Sequence, residues 1–139
     1  ACFANPLVSA AQRAVADALL GAVGAVGWVE SEPQIDAVTA ISGSGPAYVY
    51  YLAECMAAAG EALGLAPELA MQLARATVAG AGEMLQQMPD DAATLRKNVT
   101  SPGGTTAAAL DVLMGEGGLS PLMRRAATAA RDRARQLGQ

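Results

Sequence analysis

The chain contains no histidine. That excludes a histidine general base, a histidine partner for a nucleophile and any histidine-ligated metal. Its two cysteines, Cys2 and Cys55, are far apart and outside CxxC spacing. They provide neither a zinc site nor a disulfide framework and fit a reducing, intracellular compartment. Charge is also scarce, at 16% of 139 residues, against roughly 25% in ordinary soluble domains. Gly, Ser and Pro interrupt the uncharged stretches, so none reaches the ~20 continuous apolar residues of a membrane span. No secretory signal is visible either, and a cytoplasmic chain without membrane contact is expected. The net charge of −4 and a sequence pI near 4.6 argue against nucleic acid as a partner. Residues 118–139 nevertheless carry five Arg against one Asp. This basic end reads as a solvated face near a helix C-terminus, where the helix dipole favours cations.

What is present points to helix. The chain has 33 Ala and 15 Gly, and 53% of it is hydrophobic; Ala loses no side-chain entropy in a helix interior. A helical chain with so few charges should have apolar faces left over for a partner subunit. The length fits one domain, or one domain with a fragment of another, and a start at Ala-Cys-Phe instead of Met suggests a fragment or a processed product.

Asn5-Pro6 marks a turn after a short apolar start. Ser9 is a helix N-cap opening a run from Ala10 to about Val23, with Val15, Leu19, Leu20 and Val23 on one face and Gln12, Arg13 and Asp17 largely outside it. Gly24 is placed to stop that helix in the left-handed conformation, and Val26–Val29 is β-like. Strand end, helix and strand together look like the last unit of an α/β sheet. Beyond Glu30-Ser31-Glu32-Pro33 the pattern is helical: a short piece from Ile35 to Ile41, ended by Ser42–Gly45, then a helix with Pro46 as its first residue, running to about Leu63 with Gly64 as its stop. Pro67 opens the next, along which Met71, Ala74, Val78, Ala81, Leu85 and Met88 form a coiled-coil-like stripe beside a small-residue face of Ala76, Ala79, Gly80 and Gly82. Asp90 or Asp91 caps a shorter helix ending at Asn98. A helix from Ala107 to Met114 follows, and a last one starts at Ser120-Pro121, with Leu119, Met123, Ala126, Ala130 and Leu137 on one side.

Two constellations bear on chemistry. Thr100-Ser101-Pro102-Gly103-Gly104-Thr105-Thr106 is a glycine turn directly before a helix. Glycine lets backbone approach a ligand closely, and the free N–H groups of the first helical turn favour an anion. Ser101, Thr105 and Thr106 add hydroxyls suited to a carboxylate or an imine nitrogen, while the Lys of a phosphate-binding loop is missing. The alternative is a plain turn with a Thr N-cap. The second constellation, Ser42-Gly43-Ser44-Gly45-Pro46-Ala47-Tyr48, fails the GxGxxG pattern and does not follow a strand, so it reads as a tight joint between helices. Tyr48, Tyr50 and Tyr51 read as packing residues, Glu83 as a solvent-facing or inter-helix charge, and the six Met as core filler.

Asp36–Tyr48 resembles the opening of the helical domain of pyrroline-5-carboxylate reductases. Asn98-Val99-Thr100-Ser101-Pro102-Gly103-Gly104-Thr105-Thr106 resembles their substrate loop at a matching offset, and Ala4–Val29 resembles the last helix and strand of their dinucleotide-binding domain. The resemblance implies a mainly α fold: a helical dimerisation domain of the 6-phosphogluconate-dehydrogenase-like type (residues 33–139), preceded by a short α/β remnant (residues 1–32). It implies reduction of the imine of 1-pyrroline-5-carboxylate to proline, the last step of proline biosynthesis, with NADP or NAD as cofactor. Carried over by position, Ser101, Gly103, Gly104, Thr105 and Thr106 bind substrate. The N–H groups of Gly104, Thr105 and Thr106 hold the carboxylate, and the Thr106 hydroxyl sits catalytically at the ring nitrogen. Asn98 and Val99 face the nicotinamide. The resemblance also implies an intertwined homodimer, in some members assembled further, up to a decamer. The family's glycine-rich nucleotide fingerprint has no counterpart here, so the chain alone is expected to dimerise without catalysing. A stand-alone helical dimerisation module is the alternative. A relative of β-hydroxyacid dehydrogenases fits less well, because the only Lys, Lys97, is not at a matching helix site.

Overall fold

A computed structural model of the chain describes residues 1–138. It contains two compact units, one of residues 1–44 with the last helix from Arg125 onward, the other of Gly45–Arg124.

In the first unit, β1 (Cys2–Phe3) and β2 (Trp28–Val29) pair in parallel, Cys2 beside Trp28 and Phe3 beside Val29. Parallel neighbours need a crossover, and α1 (Ala10–Gly21) provides it. Ser9 and Gln12 form a reciprocal capping box: Ser9 Oγ accepts the Gln12 N–H at 3.3 Å, and Gln12 Oε1 accepts the Ser9 N–H at 2.9 Å. The expected stop at Gly24 does not occur. Ala22 closes the helix in the right-handed region, and among the described residues only Gly64 and Gly103 have positive φ. The polar side of α1 makes the specific contacts with β2. Trp28 Nε1 donates to Asp17 Oδ1 at 2.7 Å, and the Arg13 guanidinium lies 4.2 Å from the Trp28 ring centroid. Val15, Leu19, Leu20 and Val23 stay exposed.

α2 (Gln34–Val38) runs into a π-turn (Thr39–Gly43). The short helix therefore extends past the expected end at Ile41 to Gly43, and a bend at Ser44 ends it within the expected Ser42–Gly45 segment. Ser44 keeps right-handed backbone and donates its N–H to Thr39 O at 2.8 Å, an i to i+5 closure. Also in this unit, Arg135 Nε lies 3.4 Å from Asp36 Oδ2.

The second unit holds α3 (Gly45–Ala62), α4 (Pro67–Gln87), α5 (Ala92–Asn98), α6 (Thr105–Leu113) and the first turns of α7 (Leu119–Leu137). Gly64, at φ +96°, ends α3 in a Schellman motif: Leu65 N–H reaches Gly60 O at 3.0 Å and Gly64 N–H reaches Glu61 O at 2.9 Å. The hairpin of α3 and α4 closes over Ala57, Ala70 and Ala74. A Cβ on Gly60 would sit 3.2 Å from Ala70 Cβ and 3.3 Å from Leu65 Cδ1, so α3 and α4 approach each other closely at Gly60. Gly80 and Gly82 have nothing within 4 Å of a Cβ position. Of the Met71–Met88 stripe only Ala74 is buried, and all six methionines are exposed rather than core.

Among the described residues the buried ones are four alanines, Ala40, Ala57, Ala70 and Ala74. The chain exposes 10343 Å², whereas a globule of its 14.0 kDa exposes about 6,700 Å². The excess consists largely of Leu, Val, Met and Tyr side chains that remain in solvent. No described helix is long and apolar enough to cross a membrane.

Candidate active site

Asp91, rather than Asp90, caps α5, its Oδ1 accepting the Thr94 N–H at 2.7 Å. Hydrogen bonds to Thr94 hold its carboxyl below the usual value. Arg96 and Lys97 lie in the last turn, where the dipole favours cations. At the end of the helix the Thr100 hydroxyl donates to Arg96 O at 2.6 Å, and its N–H joins that of Val99 on Lys97 O, at 3.0 Å.

The chain then turns sharply. Ser101 O accepts the Gly104 N–H at 3.1 Å, with Pro102 and Gly103 (φ +69°) between them. Pro in the second place and a positive-φ Gly in the third is the residue order of a type II turn. Gly104 is the N-cap of α6, and its carbonyl accepts the Ala108 N–H at 3.2 Å. A Cβ on Gly104 would fall 2.5 Å from Ser101 Oγ and 3.2 Å from Ser101 O, so the turn admits only glycine here without shifting.

The Gly104 N–H is thus occupied, and the N–H groups that remain open at the start of α6 are those of Thr105, Thr106 and Ala107. Gly104 and Thr106 are half-buried, while Asn98, Ser101, Gly103 and Thr105 are exposed and Val99 is 69% exposed. The hydroxyls of Ser101, Thr105 and Thr106 have no hydrogen-bond partner among the described residues. With the open N–H groups they form a set of donors within one short stretch that carries no charge of its own, chemistry suited to a carboxylate. The predicted loop residues are therefore contiguous, from Asn98 to Thr106. Sequence reasoning missed the commitment of the Gly104 N–H to Ser101 and the clasp by Thr100. A Ser-Pro-Gly-Gly turn signal was available for the first. Nothing in the composition marked the second.

The segment Ser42–Tyr48 supplies no cradle. Ser42 Oγ donates to Val38 O at 3.0 Å, and the Ser44 N–H is used by the π-turn. Tyr50 and Tyr51 are exposed. The Tyr51 phenol is pushed above its usual value, chiefly by its hydrogen bond with Cys55, which suits it poorly to proton transfer. Between α3 and α4 lies an open groove of about 350 Å³, lined by apolar side chains with Glu54 and Arg75 as its charged members. Glu83 accepts from Gln87 Nε2 at 3.0 Å, as an ordinary helix-surface pair. Among the described residues no cluster of acidic or sulfur ligands is arranged for a metal.

The family model for pyrroline-5-carboxylate reductase dimerisation matches residues 32–137. The chain belongs to the pyrroline-5-carboxylate reductase family. It is 48% identical to the Pseudomonas aeruginosa reductase over 141 residues, covering 99% of this chain and 51% of that protein. It is 42% identical to the Synechocystis reductase, covering 100% and 51%. A solved reductase from Coxiella burnetii superposes with a TM-score of 0.88 at 45% identity, over 97% of this chain and 50% of that one. A Plasmodium falciparum reductase solved with NADP bound gives 0.77 at 31% identity, covering 97% of this chain and 51% of that one. The chain spans about half the length of these reductases.

Proposed function

We propose that this chain is the substrate-binding and dimer-forming part of an NAD(P)H-dependent pyrroline-5-carboxylate reductase, which makes proline in the cytoplasm. The observation that carries the reading is the start of α6. There, open N–H groups and three hydroxyls without a hydrogen-bond partner follow one another across a tight glycine turn. The N–H groups of Thr105 and Thr106, aided by the helix dipole and Ser101 Oγ, hold the substrate carboxylate. Gly103 and Gly104 shape the turn that gives it access. Hydrogen bonds to a charged group contribute about 1.5–3 kcal/mol each, enough to orient a small ring acid. The Thr106 hydroxyl is half-buried at the same helix start and donates to the ring nitrogen as that nitrogen takes up its proton.

NAD(P)H, when bound, supplies the hydride to the imine carbon. The residues here fit only its nicotinamide end: Val99 presents an exposed apolar side chain and Asn98 a polar one at the edge of the loop. The remaining nucleotide contacts, and the choice between NADPH and NADH, fall to the part of the reductases that this chain does not span. In this reading residues 1–32 complete a dinucleotide-binding domain, residues 33–139 form the helical domain, and the 139-residue chain alone is inactive. The excess apolar surface is covered by a second copy in an intertwined homodimer, with a decamer as a further assembly. The alternative of a stand-alone dimerisation module leaves the donor set at α6 without a role.

The test is Thr106→Ala in the whole protein that carries this chain, assayed by NADPH oxidation on addition of pyrroline-5-carboxylate. Turnover should fall by about tenfold or more while the dimer persists. Unchanged turnover, or no imine reduction by the unsubstituted protein, would overturn the reading.

A further inference from the structure

We infer that Thr100 is a positioning residue for the substrate loop, acting through its hydroxyl and not through its bulk. This rests on the reductase reading above and concerns a residue that itself touches no substrate. The last carbonyls of a helix lack intrahelical partners and do not by themselves fix the direction in which the chain leaves. Thr100 fixes it at two points: its hydroxyl is 2.6 Å from Arg96 O, and its N–H is 3.0 Å from Lys97 O. One residue later, Ser101 O takes the Gly104 N–H at 3.1 Å, and Gly104 begins α6. The end of α5 is therefore coupled to the open N–H groups of Thr105 and Thr106 through a chain of short bonds. Only the Thr100 side chain in this chain of bonds is both replaceable and not itself part of the donor set.

Two features assign the work to the hydroxyl. Thr100 is half-buried, and its hydroxyl bond to Arg96 O, at 2.6 Å in an exposed stretch, is shorter than the 3.0 Å bond its own N–H makes to Lys97 O. Val99, just before it, is 69% exposed, and the bond recorded for it is that of its backbone N–H to Lys97 O. Without the hydroxyl bond, only backbone N–H bonds to Lys97 O tie residues 98–101 to the end of α5, and the frame shared by Asn98, Val99 and Ser101 loosens. Catalytic geometry is sensitive to displacements near 1 Å, which can change rates by about a hundredfold. A loosened loop should therefore affect catalysis well before it affects folding.

The experiment compares Thr100→Val and Thr100→Ser in the whole protein, with kinetics for pyrroline-5-carboxylate and for NADPH measured separately. Valine keeps the branched shape and removes the hydroxyl; serine does the reverse. For Thr100→Val, kcat/KM for the imine should fall about fivefold or more, with KM for NADPH, melting temperature and dimer mass unchanged. Thr100→Ser should stay within about twofold of the parent, as the hydroxyl bond requires. Wild-type kinetics for Thr100→Val, equal losses in both variants, a parallel rise in KM for NADPH, or a Thr100→Val protein that fails to fold would each overturn the proposal. An unsubstituted protein that does not reduce the imine would instead remove the reductase reading.

Discussion

Gly104 and Asp91 show how much of the loop depends on single atoms. At Gly104 the space for a Cβ is already filled by Ser101 Oγ. Gly104→Ala should push the Ser101 hydroxyl aside, crowd the Ser101 carbonyl and cut kcat/KM for the imine by about tenfold or more. Steady-state kinetics of the whole protein check this, and a wild-type value would show that the turn relaxes at no cost. At Asp91 the sign follows from the lowered carboxyl. Its cap supports α5 fully above the ordinary carboxylate value and is lost as the pH falls through the lowered one. Amide exchange in α5 should therefore be slow above the ordinary carboxylate range and lose protection only as the pH falls below that range. The Asp91→Asn variant should lack most of that step, which measures the carboxyl's share of the transition.

Helix ends decide the elements, and their local chemistry explains which were legible. Ser9 with Gln12, Gly64 before Pro67, and Asp91 with Thr94 are each a backbone requirement met by a particular side chain or by its absence. These ends could be read from sequence. Gly64→Ala must adopt φ near +96° with a Cβ, which costs about 1–2 kcal/mol. Thermal unfolding of the assembled protein should register that loss, while Gly80→Ala, with nothing within 4 Å, is the contrasting variant within a single chain. The unforeseen features lacked such a marker. An i to i+5 closure at Ser44 has no compositional sign, because Ser-Gly-Ser-Gly suits a break equally well. Gly24 permits a left-handed stop without requiring one, and Ala22 closed α1 first. The site followed the same rule: the loop was readable as glycines before a helix, but the partner of each N–H was not.

For the whole molecule, the deciding quantity is apolar surface. The chain exposes 10343 Å² against about 6,700 Å² for a compact globule of its mass. The difference, about 3,600 Å² per chain, is larger than the roughly 1,000–2,500 Å² per partner of large obligate interfaces. A folded monomer is thus unfavourable, and folding should be coupled to association. Sedimentation of the 139-residue chain should show a dimer or larger species, with a melting temperature that rises with concentration. A well-folded monomer at micromolar concentration would contradict this. The same preparation should show no NADPH-dependent imine reduction.

The burial pattern has one more consequence. When the residues buried within one chain are alanines, truncation has little to remove there, and harm comes from enlargement at Ala40, Ala57, Ala70 and Ala74. Large-to-small changes at exposed positions such as Leu85, Met88 or Val112 should then be costly only where another surface lies against them. A complete substitution scan would sort the chain into sites intolerant of added atoms and sites intolerant of lost ones. The second set would trace the footprint of the partner.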